Sequence, residues 1–407
     1  MALPPAAARV AVVLSNPIQH FAPFYSALAE RDVDLRVLFM SRAGLDQYLD
    51  PNFGVEIQWG SAVTSGYSHE FVADLEVGPD WKHPRPCQQA VRKLVRRLDR
   101  LQPDCVLVHG YGRAYAIAAL AWCSRRGVPS LMFSDSELLH TRSLPVQAGK
   151  RITLPALFRS ISGFLTIGDL NEAYLAHYGV PRFRMFRTPL PTDNEILREA
   201  RLKRADLRAA VRAELGIPEN ALVALFAGKL VARKRPLDIA DAIRVLARTP
   251  DNRDVVAILA GDGVLRPALE AAAADLDGKL KLVGFVNQER DLPRLYMAAD
   301  VYLHPAELHA HPVAVKEAVL CGLPVVTTDL VGSVGPTDDV RPGLNGRIHA
   351  AGDVHGLARI LDDLRRRPEE LTRMAMESEK IIPEIDLEAS IAGFLRAVAS
   401  VRAAGAQ

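Results

Sequence analysis

Tyr302-Leu-His-Pro-Ala-Glu307-Leu-His309-Ala-His311-Pro312-Val-Ala-Val-Lys-Glu317-Ala-Val-Leu-Cys-Gly322-Leu-Pro324-Val-Val326 holds a strand, a polar loop, a helix and the start of a second strand. Pro312 suits the opening of a helix, and Gly322-Leu-Pro324 stops it before the next β-branched run. A strand–helix–strand unit of this kind is the building block of a parallel sheet covered by helices. Glu307, Glu317, His309 and His311 crowd around the helix start. The first N–H groups of a helix lack intrahelical partners and its dipole favours negative charge, so the pattern predicts a site for a phosphorylated ligand.

The same alternation of short apolar strands and amphipathic helices extends in both directions, which predicts an α/β fold with parallel sheets. In the first half strands are expected near Arg9–Leu14, Asp34–Met40, Cys105–Val108, Ser130–Phe133 and Gly163–Ile167. In the second half they are expected near Leu222–Ala227, Val255–Ala260, Lys281–Val283, Val301–Leu303 and Val325–Thr327. The proline-rich, polar stretch Thr188–Asn194 between the two series reads as a hinge. At 407 residues the chain exceeds one ordinary core. The expected division is a Rossmann-like domain over 1–192 and a second over 193–384, facing each other across a cleft. A C-terminal segment, 385–407, follows a break at Ile381–Ile385 and carries a helix near Leu387–Arg402 that crosses back to the first domain. Ligands in such sheets bind outside the carboxyl ends of the strands.

Composition narrows the function classes. An apolar fraction of 49% with 24% charged residues fits a soluble globular protein, and a net charge of +2 does not argue for nucleic acid. The apolar runs are too short to span a bilayer, and Met1-Ala-Leu-Pro-Pro lacks a charged n-region, so a cytoplasmic protein is expected. Cys87, Cys105, Cys123 and Cys321 show no Cys-x-x-Cys spacing and read as reduced thiols, with Cys105 buried in a strand.

Several pieces of the second half point to the same cleft. The strand ending at Ala227 leads into Gly228-Lys229-Leu-Val-Ala-Arg233-Lys234-Arg235-Pro236. Glycine lets backbone approach a ligand, and the four basic residues offer charge-assisted donors for a diphosphate. Gly261-Asp262-Gly263 ends the next strand, and Gly284-Phe285 ends another where a base could lie against the ring. A carboxylate early in a helix, as at Glu317, can accept both hydroxyls of a ribose.

In order and spacing these motifs, with Ala299-Asp300-Val-Tyr-Leu-His-Pro, Glu317-Ala-x-x-x-Gly322-x-Pro324 and Asn345-Gly346, resemble the donor domain of retaining glycosyltransferases of the GT-B fold, family 4. The resemblance covers about residues 222–348 and is looser in the first half. It implies two Rossmann-like domains and transfer of a hexosyl-type sugar from a nucleoside-diphosphate sugar to an acceptor hydroxyl, with no metal and no other cofactor. Lys229 and Lys234 stand where the family holds the diphosphate with Arg and Lys. Val313 and Ala314 would turn backbone amides to the phosphate, and Glu317 matches the ribose-binding Glu. The family places a further Glu eight residues earlier, which here is His309, with Glu307 two residues away. One of these two is the implied partner of the transferred group. His109 matches a family histidine near that group.

On the acceptor side, Asn16, His20 and Ser134 follow strand ends, where their side chains could read the acceptor, whether small molecule, glycan or lipid-linked. Asp135-Ser-Glu137 and Asp32-Val-Asp34 resemble metal-binding Asp-x-Asp runs, but the first carries Glu in the last position and the second precedes a strand at the wrong end of the sheet. The segment from Cys87 to Leu101 has an apolar face (Val91, Leu94, Val95, Leu98, Leu101) and a basic remainder. It fits either core packing with a solvated face or peripheral docking on an anionic membrane. The readings that compete with a transferase are a sugar-nucleotide epimerase, a pseudo-glycosyltransferase with a non-sugar donor, and a non-catalytic nucleotide-sugar-binding protein.

Overall fold

The computed structural model describes residues 7–31, 33–43, 45, 48–50, 55–57, 61–74, 84–139, 143–249, 254–286 and 290–405. The first domain runs β1 (Ala8–Leu14), α1 (Ala22–Ala29), β2 (Val33–Phe39), a short antiparallel pair β3 (Tyr48–Asp50) and β4 (Val55–Ile57), then β5 (His69–Phe71). It continues α2 (Pro84–Leu101), β6 (Cys105–His109), α3 (Ala114–Arg126), β7 (Ser130–Phe133), α4 (Leu144–Arg159), β8 (Gly163–Thr166), α5 (Asp169–His177) and β9 (Met185–Arg187). Its main sheet is parallel, in the order β5-β2-β1-β6-β7-β8-β9. The strands buried on both faces are near-continuous apolar runs, as a sheet covered by helices on both sides requires.

Two helices, α6 (Glu195–Leu202) and α7 (Arg204–Glu214), lead into the second domain. There β10 (Leu222–Ala227), α8 (Pro236–Ala247), β11 (Val255–Ala260), α9 (Arg266–Ala274), β12 (Leu280–Gly284), α10 (Leu292–Ala298), β13 (Val301–His304), α11 (Val313–Leu320), β14 (Val325–Thr328) and β15 (Gly346–His349) follow, with α12 (Val354–Arg366) and α13 (Pro368–Ile385) behind them. The second sheet is parallel in the order β12-β11-β10-β13-β14-β15. Strand order reverses beside β10 and β13, so their loops open at the crevice where such sheets bind ligands.

The chain break differs from the expected one. Helix α13 runs through Pro383 to Ile385, and the chain turns at Asp386, whose backbone is extended. A proline forfeits one hydrogen bond, and this one sits in the last turn, where the helix is about to end anyway. Helix α14 (Leu387–Gly405) then lies in the core of the first domain: Ile391, Phe394, Val398 and Val401 are buried with Val10 and Val12, and the Phe394 ring meets Phe24 edge-on at 5.7 Å.

Helix α2 buries Ala90, Leu94 and Leu98 in the first-domain core, and Arg97 pairs with Glu70. The apolar face that could have met a membrane is therefore packed against protein, and Arg92, Lys93, Arg96 and Arg100 remain outward. No helix among the described residues is long and apolar enough to cross a membrane. All four cysteines are buried, and none is joined in a disulfide. Asp32 lies outside the described residues, and Asp34 is inside β2 rather than before it.

Candidate functional site

A cleft of about 1140 Å³ lies between the two sheets. Its floor begins with strand-end glycines. Gly228 follows β10 at φ +154° and Gly261 follows β11 at φ +144°, and a Cβ on Gly261 would stand 1.9 Å from the Gly228 carbonyl oxygen. Only glycine permits that approach, and it brings the backbone of both loops to the cavity wall. Beyond Gly228 the chain closes a short 3-10 turn, and Pro236 opens α8 in the first helical position.

That turn buries Lys234, which is 6% exposed. Burial, followed by the charges of Arg233 and Lys229, lowers its ammonium to about 7. Its Nζ lies 2.5 Å from His309 Nδ1, and His304 Nε2 lies 3.0 Å from the same atom. A charged Lys234 can only donate, so it faces a neutral His309 ring. Burial and then Lys234 push the His309 imidazolium down to about 2 and hold His304 well below its ordinary value. The cluster consists of nitrogen alone. An anionic ligand is what this corner lacks.

Helix α11 forms the adjoining wall, and Val313 and Ala314 line the cavity at its start. Glu317, one turn in, sits against Tyr296. Desolvation there raises its carboxyl to about 7, although the Tyr296 hydroxyl donates to it at 2.9 Å. Lys316 points the other way. Its Nζ donates to the Leu190 carbonyl at 2.5 Å, tying α11 to the segment between the domains, and burial lowers its ammonium to about 8.

His311, just before α11, meets carboxylates rather than cations: Nε2 is 3.0 Å from Asp339 and 3.9 Å from Asp338. Burial lowers its proton affinity, but Asp339 and then Asp338 outweigh that and hold it above the usual histidine value. Burial would raise Asp339, but the His311 charge keeps it low. Asp338 in turn accepts the Asp169 N–H at 2.7 Å, and Asp169 pairs with Arg187 at 2.6 Å, so the cluster crosses from one domain to the other.

The first domain supplies the opposite wall. His109 ends β6 with Nε2 2.9 Å from the Tyr25 hydroxyl, and burial and then His20 lower it to about 3. His20 is lowered to about 4, by burial and then by Lys316. The loop after β7 is held by Asn171, whose amide donates to the carbonyls of Ser134 and Ser136 at 2.9 and 2.8 Å.

Of the residues singled out in the sequence, His20, His109, Ser134, Gly228, Lys229, Lys234, Phe285, His309, Val313, Ala314 and Glu317 line this one cavity. Three do not. Gly284 lies behind Phe285, with a left-handed φ of +73°. Asn16 turns its amide to the Pro17 carbonyl. Glu307 has a side chain 59% exposed and lies 3.9 Å from Arg235, away from the cavity lining. The aligned position His309 is thus the one in the cleft. Asp135 lines the cleft edge, and Glu137 caps the Leu139 N–H.

Sequence reading missed His304, Lys316, Asp338 and Asp339. A lysine beside Glu317 in the otherwise apolar run Val313-Ala-Val-Lys-Glu-Ala-Val-Leu is a signal that a partner awaits it in the core. The acids that neutralise His311 lie too far along the chain to be paired with it by spacing.

Residues 208–381 match the model of the family described as glycosyl transferases group 1. The chain carries a glycosyl transferases group 1 domain. It is 35% identical over 174 residues to a D-inositol 3-phosphate glycosyltransferase of Mycobacterium sp. (strain KMS), covering 42% of this chain and 38% of that one. It is 33% identical over 221 residues to the enzyme of the same name from Streptomyces coelicolor, covering 51% and 45%. The chain thus spans less than half the length of the curated relatives it matches. Among solved structures, a glycosyltransferase from Rickettsia africae superposes with a TM-score of 0.73 at 12% identity, over 97% of this chain and 98% of that one. HepE from Anabaena, in complex with UDP and glucose, superposes with a TM-score of 0.66 at 16% identity, over 97% and 100%. The fold of this chain is GT-B.

Proposed function

We propose that this protein transfers a sugar from a nucleoside-diphosphate sugar to an acceptor hydroxyl with retention of configuration. The observation that carries the reading is the wall in which Lys229, Lys234, the start of α11 and Glu317 line one cleft opposite His109. In this reading Glu317 accepts the ribose hydroxyls, and Phe285 covers the base. Lys229, Lys234 and the helix start meet the diphosphate, whose charge grows as the sugar leaves. Stabilising that charge with donors already in place is the greatest contribution the protein can make to the rate. Attack from the same face lets the departing phosphate take the acceptor proton, so the scheme needs neither a protein base nor a metal. His309 contacts the transferred group as a neutral acceptor and donor. The D-inositol 3-phosphate glycosyltransferase relatives and the HepE complex with UDP support this class of reaction.

The test is a nucleoside diphosphate. UDP should raise the melting temperature in proportion to the logarithm of its concentration above Kd. Lys234→Ala should cut turnover by about 10²–10³-fold, the range for loss of one preorganised donor. It should leave the melting temperature of the free protein unchanged or higher, because the buried ammonium is desolvated in the fold. A folded Lys234→Ala protein with full turnover would remove this loop from the donor site.

A further inference from the structure

The cleft has a nucleoside end and a far end. Lys229, Lys234, Val313, Glu317 and Phe285 line the cleft alone, whereas Arg233 and His309 also line a second cavity of about 530 Å³ that adjoins it. Arg233 and His309 therefore stand where the cleft opens outward, beyond the residues assigned to the ribose and the diphosphate.

That far end carries a surplus of positive charge. A sugar-linked diphosphate has one negative charge on each phosphate. Lys229, Arg233, Lys234 and the start of α11 supply more positive charge than that. Among the described residues no carboxylate of this wall offsets the surplus: Arg233 and Lys229 are the charges that bear on Lys234, and Lys234, Arg233 and His311 are those that bear on His309. His311 is already matched by Asp339. Asp135, the carboxylate on the edge shared with the second cavity, is exposed and belongs to the opposite wall.

Arg235 is held by Asp238 at 2.7 Å, but the neighbouring Arg233 guanidinium has neither an ion pair nor a hydrogen bond among the described residues. Its planar fork suits a carboxylate, which it can take through two parallel bonds. A neutral His309 can add one N–H to the same group.

We infer that the transferred sugar carries a carboxylate, held by the Arg233 fork and the His309 ring at the far end of the donor cleft. The inference rests on the glycosyltransferase reading and narrows its donor to a nucleoside-diphosphate uronate. The diphosphate then answers Lys229 and the helix start, and the sugar carboxylate answers the charge left over beside His309.

The experiment is calorimetric titration of the full chain with UDP and with two matched pairs, UDP-glucose with UDP-glucuronate and UDP-galactose with UDP-galacturonate. Within a pair only C6 of the sugar changes, from a hydroxymethyl group to a carboxylate. In at least one pair the acid should bind about tenfold or more tighter, the ratio expected for a charge-assisted hydrogen bond. Arg233 is exposed, so Arg233→Gln should leave the fold intact and bring that ratio to within about twofold of one. His309→Glu places a carboxylate in the corner and should reverse the preference, since like charges repel. Each result is a ratio within one variant, so a general loss of nucleotide affinity does not move it. UDP binding without preference for the acid in either pair overturns this inference alone. A preference that survives both substitutions does the same. Failure of UDP and of all four nucleotide sugars to bind the unmodified protein removes the donor-site reading as well.

Discussion

His309 and His311 lie two residues apart on one loop, and their surroundings drive them in opposite directions. His309 faces Lys234 and His304 and stays neutral, its imidazolium pushed down to about 2. His311 faces Asp338 and Asp339 and holds its proton above the usual range. The first cluster awaits negative charge and lies in the cleft. The second carries its own and joins the domains through Asp169 and Arg187. Residue type alone therefore assigns neither role. The sign of the neighbouring charge does.

The comparison breaks most visibly if the carboxylate is removed. Asp339→Ala leaves His311 without its nearest counter-charge, and the loss of one partner of a buried pair costs about 3–5 kcal/mol. Replacing both, with His311→Phe and Asp339→Leu, should cost markedly less, because no orphaned charge remains. Denaturant unfolding of the two variants measures the difference, and equal losses would mean that the pair is not an ionic unit.

Stability against pH sharpens the contrast. His309 has a folded pKa below its unfolded value of about 6.5, so the unfolded chain binds the extra proton and stability falls as pH drops below that value. His311 has a raised folded pKa. Its contribution is fully present below about 6.5 and is lost as pH rises through the folded value. His309→Gln should remove about one proton, or about 1.4 kcal/mol per pH unit, from the slope on the acid side. His311→Gln should flatten the fall in stability on the alkaline side of the same plot. Unfolding midpoints from pH 5 to 9 read both slopes, and slopes of the same sign for the two positions would contradict the assignment.

The smallest effect is expected at Glu307. Its carboxylate is exposed and only loosely paired with Arg235, so Glu307→Gln should change stability and the activation barrier by no more than about 0.5 kcal/mol. A loss of turnover comparable to that of Lys234→Ala would show that Glu307, and not His309, reaches the transferred group.

Much of this was legible in the chain. The strands β10, β11, β13 and β14 were readable because a strand buried on both faces is a nearly unbroken apolar run. The cleft wall around Gly228 and the start of α11 was readable because its parts are strand ends and a helix start, whose positions local sequence sets. The edge strands β5 and β9 were not, since three-residue strands such as His69–Phe71 and Met185–Arg187 carry little pattern. The position of Glu307 was not legible either: in an irregular loop, spacing does not say which of two residues faces inward.

The sequence by itself determined two Rossmann-like sheets, the proline-rich segment between them, and a glycine-and-lysine loop next to a helix start with a carboxylate one turn in. Those features depend on backbone conformation and on periodicity, which act over a few residues. Only the tertiary structure decided the charge states and the partners. Asp338 and Asp339 reach His311 from a later loop, Leu190 takes the Lys316 ammonium from the interdomain segment, and α4 and α5 bring Lys150 and Tyr174 to a second cavity beside His309. Protonation responds to burial and to charges within a few ångströms, and distances of that kind are set by the folded chain, not by the order of its residues.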